Sequence, residues 1–241
     1  MISIVIPVYN EEKIISKTLT AYLNYFSKGF FEFIIVPNGC TDRTVEIVRK
    51  FQKSHSNLII KEIKESVGKA EAVRRGLALA KGNLVAYLDA DFSTSPEEFQ
   101  RLLEAMHNAD GVIASRLAPG AIVENRTHLR MAAGKTFAKI VKLFFWMPYH
   151  DTQCGAKIFT KTLLEKILPL SKVNNVAFDV ELLLLAKSAK ARIIELPSHW
   201  VDRSDSVIIG SQIRLLKTSL KMLFTLINLR LRFLPFFAPK I

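Results

Sequence analysis

Short apolar runs at residues 2–6, 32–36, 58–63, 84–88 and 111–114 alternate with helix-like stretches at 11–26, 44–51, 69–80 and 96–106. This alternation most constrains the fold. Strands joined through helices in this way cannot pair as hairpins. They predict an α/β fold with a mostly parallel sheet covered by helices on both faces. Pro96 near a first turn marks one helix start.

The second half reads differently. Residues 118–126 are loop-like, and 126–149 form a basic, apolar stretch with Lys135, Lys139 and Lys142 at helical spacing. A helix is predicted over 178–190 and a strand over 192–196. From Ser206 onward no residue is acidic. Arg214, Lys217, Lys221, Thr225, Asn228 and Arg232 step by three and four, a narrow polar stripe on an otherwise apolar helix. That pattern suits an interfacial helix, a core-packed helix with a solvated basic edge, or a dimer face.

The net charge of +12 points to an anionic partner: nucleic acid, acidic lipid or a phosphorylated substrate. Cys40 and Cys154 form no disulfide framework or zinc spacing, which predicts a reducing compartment. The apolar opening at residues 1–8 is too short for a secretory leader, so none is expected. The longest uncharged apolar stretches, such as 222–229, fall short of the roughly 20 residues a membrane span needs.

The chemistry concentrates where the run Leu84-Val85-Ala86-Tyr87-Leu88 ends in Asp89-Ala90-Asp91. In extended backbone, residues i and i+2 share a face. Both carboxylates can therefore converge beyond a strand's carboxyl end, where open α/β sheets bind ligands. Such a pair suits a hard divalent cation that takes its other ligands from water and a diphosphate.

Ile6-Pro7-Val8-Tyr9-Asn10-Glu11-Glu12 resembles the opening motif of family 2 glycosyltransferases, inverting enzymes with a Rossmann-like GT-A fold. Asn38-Gly39-Cys40-Thr41-Asp42 is similar to that family's turn after the second strand. Gly68-Lys69-Ala70-Glu71-Ala72-Val73-Arg74-Arg75-Gly76 resembles its helix start, and Asp89-Ala90-Asp91 its DXD metal motif. Asp151-Thr152-Gln153-Cys154-Gly155-Ala156-Lys157, then Phe178-Asp179-Val180-Glu181-Leu182, resembles the subgroup making dolichyl- or polyprenyl-phosphate sugars. The resemblance covers residues 1–207 as a GT-A domain and leaves 208–241 as a basic amphipathic tail.

The resemblance implies roles. Pro7, Tyr9 and Glu11 would meet the nucleotide base and ribose. Asn38 stands where the family usually has a base-binding aspartate. Its amide both donates and accepts, so uracil and guanine stay open. Lys69, beside the amides of a helix start, can hold an anion. Asp91 would bind the metal, Asp89 would hold the ribose or metal, Ala90 would lie on the nucleotide, and Ser93 or a water would serve where the mannosyl-phosphate enzymes often have a glutamine. Asp42 is the expected cap of the second helix. Arg116, Arg126, Arg130 and Arg203 are cationic candidates for donor or acceptor phosphates, since arginine pairs two oxygens at once. In the segment after Arg203, Asp205 and Val207 replace the family's glycine and lysine, so that loop has lost a charge. Asp179 would be a general base toward a hydroxyl. Toward a phosphate, already ionised with a second pKa of about 6, it would only position groups.

The expected reaction is inverting transfer of a sugar from a UDP- or GDP-sugar to a polyprenyl or dolichyl phosphate, with Mg²⁺ or Mn²⁺ as cofactor. The helix at 126–149 and the tail would hold the protein on the cytoplasmic face of an anionic membrane. A membrane subunit or a second copy is the further expected partner. One rival is a family 2 enzyme acting on a sugar hydroxyl, with Asp179 as base. Another is a non-catalytic basic protein of membrane surfaces or nucleic acid. That rival gives no reason for Asp89 and Asp91, and no aromatic–basic RNA motif is present, so nucleic acid is not an expected partner.

Overall fold

The computed structural model describes residues 1–203 and 212–233, the side chains of 212–221 excepted. The main sheet contains β1 (Ile2–Val8), β2 (Phe31–Pro37), β3 (Leu58–Ile60), β4 (Leu84–Tyr87), β5 (Gly111–Ser115), β7 (Lys157–Thr160) and β8 (Ile193–Pro197). Two short strands, β6 (Ile122–Glu124) and β9 (His199–Val201), pair in a separate ribbon. The main sheet runs β3-β2-β1-β4-β7-β5-β8. Strand β7 is antiparallel to β4 and β5, and every other pairing in that sheet is parallel.

The helices are α1 (Ile15–Tyr25), α2 (Thr44–Ser54), α3 (Lys69–Leu79), α4 (Pro96–Glu104), α5 (His128–Phe145), α6 (Lys161–Ile167), α7 (Phe178–Ser188) and α8 (Gln212–Arg232). They cover both faces. Ile4 and Ile6 of β1 pack with Phe33, Leu19 and Phe99 on one side. Val5 packs with Val36, Val73 and Leu183 on the other. Burial on both faces explains the unbroken apolar runs of the sequence. Fully burying each such side chain contributes about 1.5–3 kcal/mol.

Local signals set the helix starts. Ser95 Oγ accepts from Glu98 N at 3.3 Å, with Pro96 in the first turn of α4. Thr127 and Thr160 cap α5 and α6 in the same way. Helix α3 lies close on the sheet because position 76 is glycine: a Cβ there would meet Val5 Cγ1 at 2.3 Å. This approach aims the α3 N-terminus at the carboxyl ends of the strands.

Three expectations shift. Strand β1 continues to Val8, so Pro7 lies inside it, opposite Val36. Helix α1 begins at Ile15, because the Glu11 and Glu12 N–H groups donate to Thr44 Oγ1 and Asp42 Oδ2 instead. The polar stripe on α8 does not face water as a unit. Thr225 accepts from Asn175 Nδ2 at 2.8 Å, and Arg232 pairs with the fully buried Glu181. Leu226 and Leu229 are buried beside them, while Leu223, Phe224, Ile227 and Leu231 point outward. Glu181 supplies the reason, since a carboxylate without exposed surface requires a cation. The side chains of Arg214, Lys217 and Lys221, and the segment containing Asp205 and Val207, lie outside the described residues.

Candidate active site

The crevice opens past the carboxyl ends of β1, β2 and β4. Asp89 follows β4 by two residues and forms an ion pair with Lys69, the first residue of α3. Its carboxylate rests on the backbone of Gly155, where a Cβ would lie 1.8 Å from Asp89 Oδ2. Only glycine leaves that space. Burial alone would lower the Lys69 pKa, but the charges of Asp89 and Asp179 outweigh it and raise the value. Lys69 is therefore a fixed cation beside Asp89.

Asp91 lies in the next turn, and its Oδ1 accepts from Ser93 N at 3.0 Å. Burial, then the charge of Asp89, raises its pKa. Glu11 faces the same group. Burial, then Asp91, Asp89 and Asp42, pushes its pKa up to about 7. Carboxylates that raise one another in this way form a site that favours a cation. The Ser93 hydroxyl is buried there without a partner. Among the described residues no group of three or more His, Cys, Asp or Glu forms a complete metal cage. The residues fit a divalent ion whose shell is finished by diphosphate oxygens and water.

On the nucleotide side, Tyr9 is exposed and Asn38 is buried. Asn38 Oδ1 accepts from Val67 N at 2.8 Å, which ties the segment before α3 to the end of β2. Asp42 Oδ1 accepts from Thr44 N at 3.0 Å, although Arg43 occupies the formal cap position of α2. Hydrogen bonding by Thr44 and Glu12 outweighs burial and lowers the Asp42 pKa.

Beneath the carboxylates, Asp179 Oδ1 receives both Lys157 Nζ, at 2.7 Å, and the Tyr87 hydroxyl. Lys157 has no exposed surface and also donates to the Cys154 carbonyl. Asp179 lies in the first turn of α7 and Lys157 begins β7, so two elements brought together by the fold build this pair. Burial, then the charge of Asp179, holds the Tyr87 hydroxyl well above its usual pKa.

The arginines are anchored. Arg116 pairs with Asp151 through Nε and Nη2, at 2.7 and 3.1 Å, and lies over the Trp200 ring. Burial opposes the charged forms, yet each partner stabilises the other. Asp151 falls to about 2, and Arg116 rises above its ordinary value. Glu195 Oε1 accepts from Asp151 N at 2.8 Å and fixes this turn. Arg130 Nη1 donates to Asp202 Oδ1 at 2.7 Å, with Arg126 4.0 Å from the same carboxylate. Arg203 lies 5.5 Å from the Phe92 ring centre, directly after Asp91, and its Nε is buried without a partner. Among the described residues that donor meets no acceptor, and it suits a phosphate oxygen.

Glu11, Lys69, Asp89 and Asp91 thus interact with one another, with Ser93 and Arg203 beside Asp91 and Phe92, while Tyr9, Asn38 and Ala90 lie in the adjoining turns and Pro7 is buried inside β1. Arg116 and Arg130 stand on the β5–α5 side with acidic partners. Sequence reasoning passed over Lys157 and Tyr87, whose signal was polar groups inside otherwise apolar strands. It also passed over Gln153, whose Nε2 is a buried donor without a partner.

Residues 3–168 match the family model described as glycosyl transferase family 2. A dolichyl-phosphate beta-glucosyltransferase of Dictyostelium discoideum is 28% identical over 97% of this chain and 75% of its own length. One from Drosophila melanogaster is 32% identical over 83% of this chain and 67% of its own. One from Trichomonas vaginalis is 32% identical over 84% of this chain, which spans 64% of that protein. In fold the chain is similar to glucosyl-3-phosphoglycerate synthase of Mycobacterium tuberculosis, in a crystal with Mn²⁺, UDP-glucose and phosphoglyceric acid. The TM-score is 0.70 at 17% identity, covering 95% of this chain and 79% of that one. The family model covers well over half of the chain, and the chain belongs to glycosyl transferase family 2.

Proposed function

We propose that this chain transfers a sugar from a nucleoside-diphosphate sugar to a polyprenyl or dolichyl phosphate, inverting the anomeric centre. The observation that carries the reading is the engagement of Asp179 by Lys157 and Tyr87. The Asp179 oxygen is already occupied by an ammonium and a hydroxyl donor, an arrangement that positions groups and suits an acceptor that arrives ionised. The names of the dolichyl-phosphate relatives support the same acceptor, and they name glucose as the sugar.

The donor lies across the ends of β1, β2 and β4. Asn38 offers its amide to the base, with Tyr9 and Glu11 beside the ribose. When bound, Mg²⁺ or Mn²⁺ at Asp91, with Asp89 and Ser93 beside it, neutralises the diphosphate as a Lewis acid. Lys69 fixes Asp89, and Arg203 offers Nε to a phosphate. Arg116 and Arg130 line the acceptor side. A lipid phosphate oxygen forms its bond to the anomeric carbon while the bond to the diphosphate breaks, and the electron pair leaves with the diphosphate. Positioning and fixed charge supply the catalysis.

The acceptor lives in a membrane, and two helices fit its surface. Leu129 and Leu143 on α5, Trp146 directly after it, and Leu223, Phe224, Ile227 and Leu231 on α8 are exposed. Lys135, Lys139 and Lys142 accompany them, and neither helix has an acidic residue. Arg230 lies over the Trp146 ring and joins the two helices. Exposed apolar groups with basic neighbours match an anionic lipid surface. No described helix is long and apolar enough to cross a membrane. The reading places the protein on the cytoplasmic face.

The test is a transfer assay with polyprenyl phosphate in liposomes, Mn²⁺ or Mg²⁺, and labelled UDP- and GDP-sugars, with UDP-glucose first. Labelled lipid that disappears with EDTA and with Asp91→Asn supports the reading. Metal-dependent nucleotide binding without labelled lipid moves the acceptor to a sugar hydroxyl.

A further inference from the structure

Segment 170–175, between α6 and α7, is gripped from three helices. From α7, the fully buried Glu181 accepts from Ser171 Oγ at 2.7 Å and from the Lys172 and Val173 N–H groups, each at 2.9 Å. From α3, Arg74 donates to Ser171 Oγ, to the Val173 carbonyl at 2.8 Å and to Asn174 Oδ1 at 2.9 Å. Its guanidinium also covers the Phe178 ring, next to Asp179. From α8, Arg232 donates to Glu181 and to the Leu170 carbonyl, while Asn175 donates to Thr225.

The two inner helices each begin in the active site, α3 with Lys69 and α7 with Phe178 and Asp179. The outer helix carries the exposed apolar face. Arg232 is the cation paired with Glu181 among the described residues. Without it, a buried carboxylate keeps only neutral donors, and its hold on the segment weakens.

We propose that Arg232 is a positioning residue that couples the seating of α8 on a lipid surface to the donor site. Seating α8 fixes Arg232 on Glu181, which fixes segment 170–175 against Arg74 and so the starts of α3 and α7. A lipid surface then strengthens nucleotide binding, and nucleotide strengthens lipid binding by the same factor. This inference rests on the proposed function and extends it with a link between its two surfaces.

The experiment measures Mn²⁺–UDP and Mn²⁺–GDP affinity by calorimetry, with and without phosphatidylglycerol–phosphatidylcholine vesicles that contain no polyprenyl phosphate. Vesicles tighten nucleotide binding in the wild-type protein by about fivefold or more. Arg232→Met still binds vesicles through Leu223, Phe224 and Ile227, and still binds nucleotide, but the tightening disappears. Arg232→Lys keeps part of it, which a purely structural role would not require. Asn175→Ala cuts the second tie to α8 and loses a smaller part, so it serves as the test if Arg232→Met does not fold. Wild-type affinity unmoved by vesicles, no vesicle binding, or full tightening in Arg232→Met overturns the coupling alone. No nucleotide binding under any condition overturns the proposed function and the coupling with it.

Discussion

Lys157 Nζ and Asp179 Oδ1 lie 2.7 Å apart at the base of the crevice, and the lysine has no exposed surface. Each charge is the other's counterion. Lys157→Met strands a buried carboxylate and costs about 3–5 kcal/mol of stability. Lys157→Met with Asp179→Asn recovers most of that loss. Denaturant melts of the two single variants and the double variant measure the coupling.

Asp179→Asn separates positioning from proton transfer. Loss of a general base costs about 10²–10⁴-fold and removes a limb from the pH–rate profile. With a phosphate acceptor the limb remains, because it belongs to the acceptor, and kcat falls by less than about a hundredfold. The measurement is kcat against pH for both proteins.

Gly155→Ala places a methyl group where the Asp89 carboxylate lies. The carboxylate must move, and its pairing with Lys69 breaks. Overpacking costs about 1–3 kcal/mol. Metal-dependent nucleotide binding weakens more than stability does, which calorimetry and melting on one sample distinguish.

The Arg116–Asp151 pair sets an acid limit. Asp151 titrates at about 2 when folded, below its unfolded range. Its stabilisation is present above pH 4 and is lost as pH falls toward 2, about 2 kcal/mol in all. Asp151→Asn removes that dependence. The denaturant midpoint from pH 6 to pH 2 falls less steeply in the variant.

Membrane attachment depends on salt and on aromatic anchors. Replacing Lys135, Lys139 and Lys142 with glutamine weakens binding to anionic vesicles by about 1 kcal/mol per charge and flattens its salt dependence. Trp146→Ala and Phe224→Ser weaken it at every ionic strength. Vesicle sedimentation reads both effects.

The parallel half of the fold was legible because strands buried on both faces leave unbroken apolar runs. Strand β7 was not, since it has four residues and opens with Lys157. Strands β6 and β9, three residues each, carry too little pattern to stand out. That Asp89 and Asp91 follow the carboxyl end of a strand could be read from the apolar run before them, whereas the turn that holds Asp91 replaces the extended backbone expected there. The partners of the arginines could not be read: Arg130 meets Asp202, 72 residues away, and Arg116 meets Asp151, 35 residues away. On α8, Thr225 and Arg232 looked like solvent positions because the buried carboxylate that Arg232 serves belongs to another helix.

The reversed direction of β7 has a consequence for how such a protein can diversify. Strand β5 ends at the crevice and β7 starts there, so residues 116–156 depart from and return to the same rim. This stretch is an excursion and not a crossover, and it carries Arg116, Arg130 and all of α5. Short of Gly155, on which the Asp89 carboxylate rests, it can lengthen, shrink or be exchanged without rethreading the sheet. One nucleotide-holding half can thereby be fitted with different acceptor-side attachments, with β7 as the fixed seam to which each is sewn.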